Sequence, residues 1–403
     1  MIKKVIINIS LFIFLIFALL CYTLIMKLAI MHDFLINYGG AERVIQHIHE
    51  LYPTAPIYTL RHDPERIGHI TKGWDVRSSI IDSWPSFLRK NHTFPMSFYP
   101  YAIEQFDFDQ YDIVLSFSST FAHGIITGPK TIHICYYHTP ARFLWDYTHQ
   151  YIEEKGWTGL KAVISRKVLH NLRVWDYLAS MRPDVRLANS RNIKERLKKF
   201  YRQDSMVVYP GAEIDKYKLS ESQELGDYYI VICRLTPPKR VDLAIEACNK
   251  LQKPLHVIGS GDDRERLEKM SGPTIKFLGF LKDSETAKEL AGSRALLFPG
   301  VDDFGLVPIE AMACGKPVVA LGEGGATETV IDGKTGILFS PQSTEGVIDG
   351  ITKLEKIIKK LDPISIRKHA EQFSKLEFQR NIKKIIEDAY QDNVKKSFEY
   401  ANN

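Results

Sequence analysis

The chain has 403 residues, 45% hydrophobic and 25% charged, which excludes wholesale disorder and leaves room for two α/β domains with separate cores. Its formal charge of +5 is small and unevenly spread: between Glu153 and Arg202 there are 13 Lys/Arg against 5 Asp/Glu, an excess of +8, so the remainder is slightly acidic. Five cysteines (Cys21, Cys135, Cys233, Cys248, Cys314) are widely spaced with no CxxC, which argues against a disulfide framework or a structural zinc site and fits a reducing compartment.

In chain order, the first feature is the apolar run Val5–Ile25, 21 residues long and preceded by Lys3 and Lys4. That length suffices to cross a bilayer, and the flanking lysines give it the look of a signal anchor. Against this, Lys27–His32 reads as the opening strand of an α/β domain with no linker before it. The alternative takes Met26-Lys27 as the start of the folded protein and residues 1–25 as an extension outside the fold. Asn91-His92-Thr93 matches a glycosylation sequon, a pattern that also arises by chance.

From Leu28 onward, short apolar runs alternate with amphipathic stretches, the α/β signature. The first half predicts strands at Leu28–His32, Ile57–Leu60, Ile113–Ser116, Thr131–Tyr137 and Val185–Ala188. The second half restarts the pattern at Tyr228–Cys233, Leu255–Ile258, Ile275–Leu278, Ala295–Phe298 and Pro317–Ala320, with helices at Val241–Lys250, Asp262–Met270 and Ser284–Ala291. Two such series imply two doubly wound domains, 26–212 and 213–375, with a hinge near Pro210–Gly226. A charged helix from Lys375 to Tyr400, which makes up most of a third segment, 376–403, is expected to pack back toward the first domain.

Four motifs carry chemistry. In Gly300–Gly315 two acids, Asp302 and Glu310, are separated by seven intervening residues across a strand-to-helix turn. The first falls on a loop at the carboxyl end of the sheet, where α/β ligands bind, and the helix start beside them suits a phosphate. The simpler reading is that the acids merely favour the helix N-terminus. Arg234 and Lys239 follow the first strand of the second series; Arg grips two phosphate oxygens and Lys adds a point charge. Gly39-Gly40 makes a turn between the first strand and first helix, letting backbone N–H groups approach an anion. His138 follows an apolar strand, so that its ring is expected to face a cleft.

Together these motifs resemble the group 1 (GT4) family of retaining glycosyltransferases, which have the GT-B fold of two Rossmann-like domains facing across a cleft. The segment around His138, Tyr136–Asp146, is similar to the mannosyltransferases of polysaccharide and O-antigen assembly. The resemblance spans Lys27 to about Phe339. It implies that Arg234 and Lys239 bind the donor diphosphate, that Gly39 and Gly40 lie near those phosphates or the acceptor, and that His138, Asp302 and Glu310 line the reacting sugar. It also implies that Phe304, Gly305 and Leu306, with the turn at Gly259 and Gly261, border the nucleotide or sugar. Family members usually carry Glu at the first acid; Asp302 keeps the charge and shifts the carboxylate by about one bond.

The implied reaction moves a hexose, mannose from GDP-mannose in the favoured form or a UDP-sugar in the other, to a lipid-diphosphate-linked or polysaccharide acceptor. Configuration is retained, acceptor attack and nucleotide departure sharing one face of the sugar. Arg234, Lys239 and helix dipoles stabilise the leaving group in place of a metal, and no resident cofactor is called for. Rival readings are an epimerase or phosphorylase on the same fold, or a non-catalytic nucleotide-sugar-binding scaffold. A dinucleotide fingerprint at Gly259 fails because Arg264 occupies the third small position. Asp107-Phe108-Asp109 is formally a metal-binding DxD but reads as a solvated loop. The basic stretch Lys155–Arg202 reads either as a surface for anionic membrane or as an ordinary solvated helix face; no recognition motif accompanies it, so nucleic acid is not an expected partner. The expected location is cytoplasmic, peripheral at the inner membrane, with an N-terminal anchor as the other possibility.

Overall fold

The computed structural model describes residues 26–90, 95–219 and 226–401. The apolar run Val5–Ile25, Cys21, and the sequon at 91–93 lie outside the described residues, as do positions 220–225 of the expected hinge.

The first domain is built on a parallel sheet of β1 (Leu28–Leu35), β2 (Ile57–His62), β3 (Val76–Ser78), β4 (Ile113–Ser118), β5 (Ile132–Tyr137), β6 (Val185–Ala188) and β7 (Met206–Val207), in the order β3-β2-β1-β4-β5-β6-β7. The central strands are rich in β-branched and aromatic residues and are buried on both faces, as a helix-covered parallel sheet demands. Register follows from those runs: Ile30 lies beside Ile57 on one side and Leu115 on the other.

The second domain repeats the plan with β8 (Tyr229–Ile232), β9 (Leu255–Ile258), β10 (Ile275–Gly279), β11 (Ala295–Phe298), β12 (Val318–Leu321) and β13 (Gly336–Phe339), in the order β10-β9-β8-β11-β12-β13. Each sheet has a core on both faces. In both, strand order reverses beside the first strand, so the loops at the carboxyl ends of β1 and β4, and of β8 and β11, open a crevice. This is the two-domain α/β architecture that the sequence predicts.

Several boundaries differ from the sequence reading. Strands β1, β2 and β4 run two or three residues further, since His32, Asp33 and Ser118 are held by hydrogen bonds that apolar patterning does not reveal. The helix expected over Asp262–Met270 spans Arg264–Lys269, because Asp263 N–H and Arg264 N–H bond back to Leu235 and Gly261 as a turn. Strands β3, β7 and β13 were not foreseen; β3 and β7 are short, partly exposed edges.

The chain crosses between domains twice, and the crossings touch. Ala212 pairs with Ser374 in an isolated parallel bridge, Ala212 N–H donating to Phe373 O at 2.8 Å and Lys375 N–H to Ala212 O at 2.9 Å. After the second crossing the helix Lys375–Ala401 returns to the first domain, where Phe378, Ile382 and Ile386 join the core under Leu28 and Ile30. Among the described residues, no helix is long and apolar enough to cross a membrane.

Candidate functional site

Four loops converge at the carboxyl end of the second sheet: those after β8, β9, β11 and β12. Their backbones meet so closely that side chains are excluded. A Cβ on Gly259 (φ +134°) would lie 1.8 Å from Cys233 O, and one on Gly261 would lie 2.1 Å from Leu235 O. These two glycines therefore bring the β9 loop against the segment bearing Arg234, rather than simply leaving room for a ligand.

Arg234 is exposed, while Lys239 Nζ lies 2.5 Å from Asp302 Oδ1, so the cation and the first acid neutralise each other. Phe304 is buried and stacks on Tyr209 with ring centroids 5.4 Å apart. Gly305, at φ +85°, caps the helix Leu306–Ala313. The left-handed turn aims that helix's N-terminus, with its free N–H groups, toward the crevice.

Glu310 sits inside this helix and is buried. Burial pushes its pKa up, opposed by Arg43 and by the Tyr217 hydroxyl. Its partner comes from the other domain: Arg43 Nη1 donates to Glu310 Oε1 at 2.7 Å, and Arg43 also lies 3.8 Å from Asp283. Desolvation disfavours the Arg43 guanidinium, yet Glu310, Tyr217, Tyr38 and Asp283 together more than offset it and raise its pKa.

The first domain supplies the facing wall. Gly39 and Gly40 open the helix Gly40–Leu51, and a Cβ on Gly40 would lie 3.8 Å from Leu306 of the second domain. Beneath this turn the Asp33 carboxylate accepts four backbone N–H bonds, from Ser119, Thr120, Phe121 and Ala122, at 2.5–2.8 Å. That clamp ties the ends of β1 and β4 together. Next to it, His32 Nε2 lies 3.4 Å from Glu42.

His138 continues from β5, its N–H bonded to Ser118 O and its carbonyl to Asn189. The ring packs among Tyr136, Phe117 and His32, with centroids 5.3, 6.1 and 6.4 Å away. The sequence reading has this ring facing the cleft; here its Nε2 is shielded from solvent and lacks a hydrogen-bond partner among the described residues. Burial, then repulsion from His32, pulls its pKa down to about 3, so the imidazole is neutral near pH 7. A neutral ring with a free Nε2 is suited to one hydrogen bond with a hydroxyl group.

Three further contacts join the domains. Arg196 Nη1 pairs with Asp303 Oδ1 at 2.8 Å, and Ser190 Oγ donates to Asp303 O at 2.7 Å. Glu328 accepts from Arg191 N–H and Asn192 N–H at 2.8 and 2.9 Å, capping the helix Arg191–Tyr201 from across the cleft. Beside this cap a cavity of about 540 Å³ is lined by Arg191, Tyr209, Glu328 and His369; the acids and phosphate-binding cations predicted from sequence lie elsewhere.

Comparison with known proteins follows this geometry. Residues 215–372, which include Arg234, Lys239, Asp302 and Glu310, match the family model "Glycosyl transferases group 1". A GDP-mannose-dependent alpha-(1-6)-phosphatidylinositol monomannoside mannosyltransferase of Mycolicibacterium smegmatis is 30% identical over 173 residues, 36% of this chain and 45% of that protein. The alpha-1,3/1,6-mannosyltransferase ALG2 of Dictyostelium discoideum is 24% identical over 438 residues, covering 90% of this chain and 98% of the relative. Over residues 215–372 the chain is thus similar to the group 1 glycosyltransferases.

Among solved structures, that of Anabaena Alr3699/HepE in complex with UDP superposes with a TM-score of 0.67 at 19% identity, over 90% of this chain and 100% of that one. The likeness shows that the chain has the GT-B fold. The chain's match spans 45%, 62% and 44% of the length of three curated relatives, less than two thirds in each case.

The fold brings Lys239 to Asp302, Leu306 to Gly40, and Glu310 to the helix that Gly39-Gly40 begins. Among the described residues it does not join His138 to the second domain, since the ring contacts and hydrogen bonds made there by His138 are to first-domain residues. Sequence reasoning assigned no role to Arg43, Arg196, Asp303 or Glu328. The nearest signal for Arg43 was its place one helical turn after the glycines; Asp303 had none beyond standing next to Asp302. Asp107 and Asp109 form a local turn, Asp109 N–H donating to Asp107 at 2.9 Å. Among the described residues, no cluster of three His, Cys, Asp or Glu side chains is arranged to hold a metal ion.

Proposed function

We propose that this chain is a retaining hexosyltransferase that takes mannose from GDP-mannose and transfers it to a lipid-linked or polysaccharide acceptor at the membrane surface. The observation that carries the reading is the pairing of Lys239 with Asp302, beside Arg234 and the Gly305-capped helix, at one strand-end crevice. In this reading the donor diphosphate displaces Asp302 from Lys239 and is gripped by Arg234. The released carboxylate then accepts hydroxyl groups of the sugar.

Arg234, Lys239 and the helix N-terminus supply the positive charge that the departing nucleotide needs, so the proposed reaction calls on no metal or resident cofactor. No carboxylate offers itself as a separate base, and the leaving phosphate takes the acceptor's proton. His138 and Glu310 orient the sugar and nucleotide. Two named mannosyltransferases among the relatives support the mannose assignment.

The test is calorimetric titration of the full chain with GDP-mannose and with UDP-glucose, beside an Arg234→Ala/Lys239→Ala control. Binding of GDP-mannose alone, lost in the control, with transfer that is unaffected by EDTA and retains α configuration, is the expected outcome. Folded protein that binds neither donor would overturn the assignment.

A further inference from the structure

The helix Gly159–Ala179 has two apolar faces. Ala162, Leu169, Leu172 and Ala179 are buried against the first domain. On the opposite side Leu160, Val163, Ile164, Val174 and Leu178 are 49–75% exposed, and Met181 extends the row past the helix end. At 3.6 residues per turn these exposed side chains fall within an arc of roughly 100°, as two clusters, Leu160/Val163/Ile164 and Val174/Leu178, with Lys167 and Asn171 on the same arc between them. Single exposed apolar residues are ordinary; two such clusters on one helix face with a cation between them mark an interaction surface.

The charges around these clusters say what they meet. Lys161, Arg166 and Lys167 are exposed and make no hydrogen bond or ion pair among the described residues. The helix's one acid, Asp176, is buried and accepts from the Trp145 indole at 2.7 Å. An exposed face with large apolar side chains, free cations and no anion is complementary to an interface of acyl chains and anionic headgroups. It suits a second copy of the chain poorly, since lysine is depleted at protein interfaces and a twofold contact would set these cations against one another.

We infer that this face lies on a bilayer containing anionic lipid, the helix parallel to the surface, with Leu160, Ile164, Val174 and Leu178 at the acyl boundary and the cations among the phosphates. The inference deepens the functional reading above, on whose membrane-borne acceptor it rests. Arg173, on the same helix, donates to Leu144 O and to Thr148, so the docking helix braces the segment that leads away from His138.

The experiment uses the full chain in a Cys21→Ser background with bimane attached at Ile164→Cys, Leu178→Cys or, as control, the exposed Phe280→Cys of the second domain. Each is mixed with vesicles of phosphatidylcholine and phosphatidylglycerol in about equal parts, containing spin-labelled lipid. A position-specific readout separates this face from any contact made by Val5–Ile25. Quenching at 164 and 178 at least about threefold above that at 280, reduced by Lys161→Gln/Lys167→Gln, is the expected result. Equal quenching at all three positions overturns the inference. So does a dimer in sedimentation velocity that Leu178→Asp abolishes. Calorimetry on the same variants keeps the two readings apart: quenching without GDP-mannose binding retains the surface and refutes the enzyme reading, and binding without quenching does the reverse.

Discussion

The Lys239–Asp302 pair gives the sharpest test of how the crevice works. If a diphosphate must take Lys239 from Asp302, the carboxylate competes with the nucleotide while serving the sugar. The two side chains are 29% and 21% exposed, so their attraction is partly screened and contributes about 1 kcal/mol. Asp302→Asn releases that competition and should tighten binding of GDP about fivefold. The same substitution removes a charged acceptor from the sugar, a loss of about 1.5–3 kcal/mol, which lowers kcat/KM for transfer roughly 10- to 150-fold. Lys239→Met, by contrast, should weaken GDP binding and transfer together by a similar factor. Calorimetry with GDP and initial rates with GDP-mannose read the two effects separately. If Asp302→Asn weakens GDP binding in step with the rate, the carboxylate is a structural brace for Lys239 and the displacement argument is wrong.

Four further outcomes follow from the geometry. Arg43→Met leaves Glu310 buried without its cation and should cost about 3 kcal/mol in urea unfolding, most of it regained in Arg43→Met/Glu310→Gln; a change below about 1 kcal/mol would refute the pair's role. Gly259→Ala places a Cβ 1.8 Å from a backbone carbonyl and should abolish soluble folded protein, whereas Gly333→Ala, at φ +71° with open space, should cost only about 1 kcal/mol by thermal melting. The His138 pKa falls from 6.5 to about 3 on folding, so its contribution is complete above pH 6.5 and is lost as pH drops toward 3; His138→Gln should flatten the pH dependence of stability between about pH 6 and 4 by about 1.4 kcal/mol per pH unit. Glu328→Ala removes the cap that the second domain places on the helix Arg191–Tyr201, and small-angle scattering should show a larger radius of gyration for the unliganded variant.

How much of this was legible in the sequence depends on whether a feature is local. The strands at Val185–Ala188, Leu255–Ile258 and Ala295–Phe298 were read to the residue, because a strand buried on both faces must be an unbroken apolar run. Edges β3 and β7 escaped because Val76–Ser78 and Met206–Val207 bury little and have no such run to show. The same division holds in the site. Arg234, Lys239, Asp302 and Glu310 were visible since each stands at a fixed offset from a strand or helix end in its own domain. Arg43, which faces Glu310, lies 267 positions away, and no periodicity reaches so far.

That division bears on how the crevice is controlled. Of the groups legible from sequence, Arg234, Lys239 and Asp302 would touch the donor, whereas Glu310 links one domain to the other together with those found only in the fold, Arg43, Arg196, Asp303 and Glu328. Asp303 and Glu310 both turn toward the first domain while Asp302, next in the chain, turns toward Lys239. One short loop and helix thus divides its acids between closing the domains and, in the proposed reaction, holding the sugar. A ligand that displaces Asp302 moves the residue bonded directly to Asp303, so donor binding and domain closure are coupled through a single peptide bond. The coupling makes Asp303→Asn, which touches no proposed donor atom, a more informative variant than any change in the phosphate grip. Weakening the Arg196 tether in this variant should shift the GDP dissociation constant and KM for GDP-mannose together. A GDP dissociation constant that stays within about twofold of the parent's would mean that the two acids act independently.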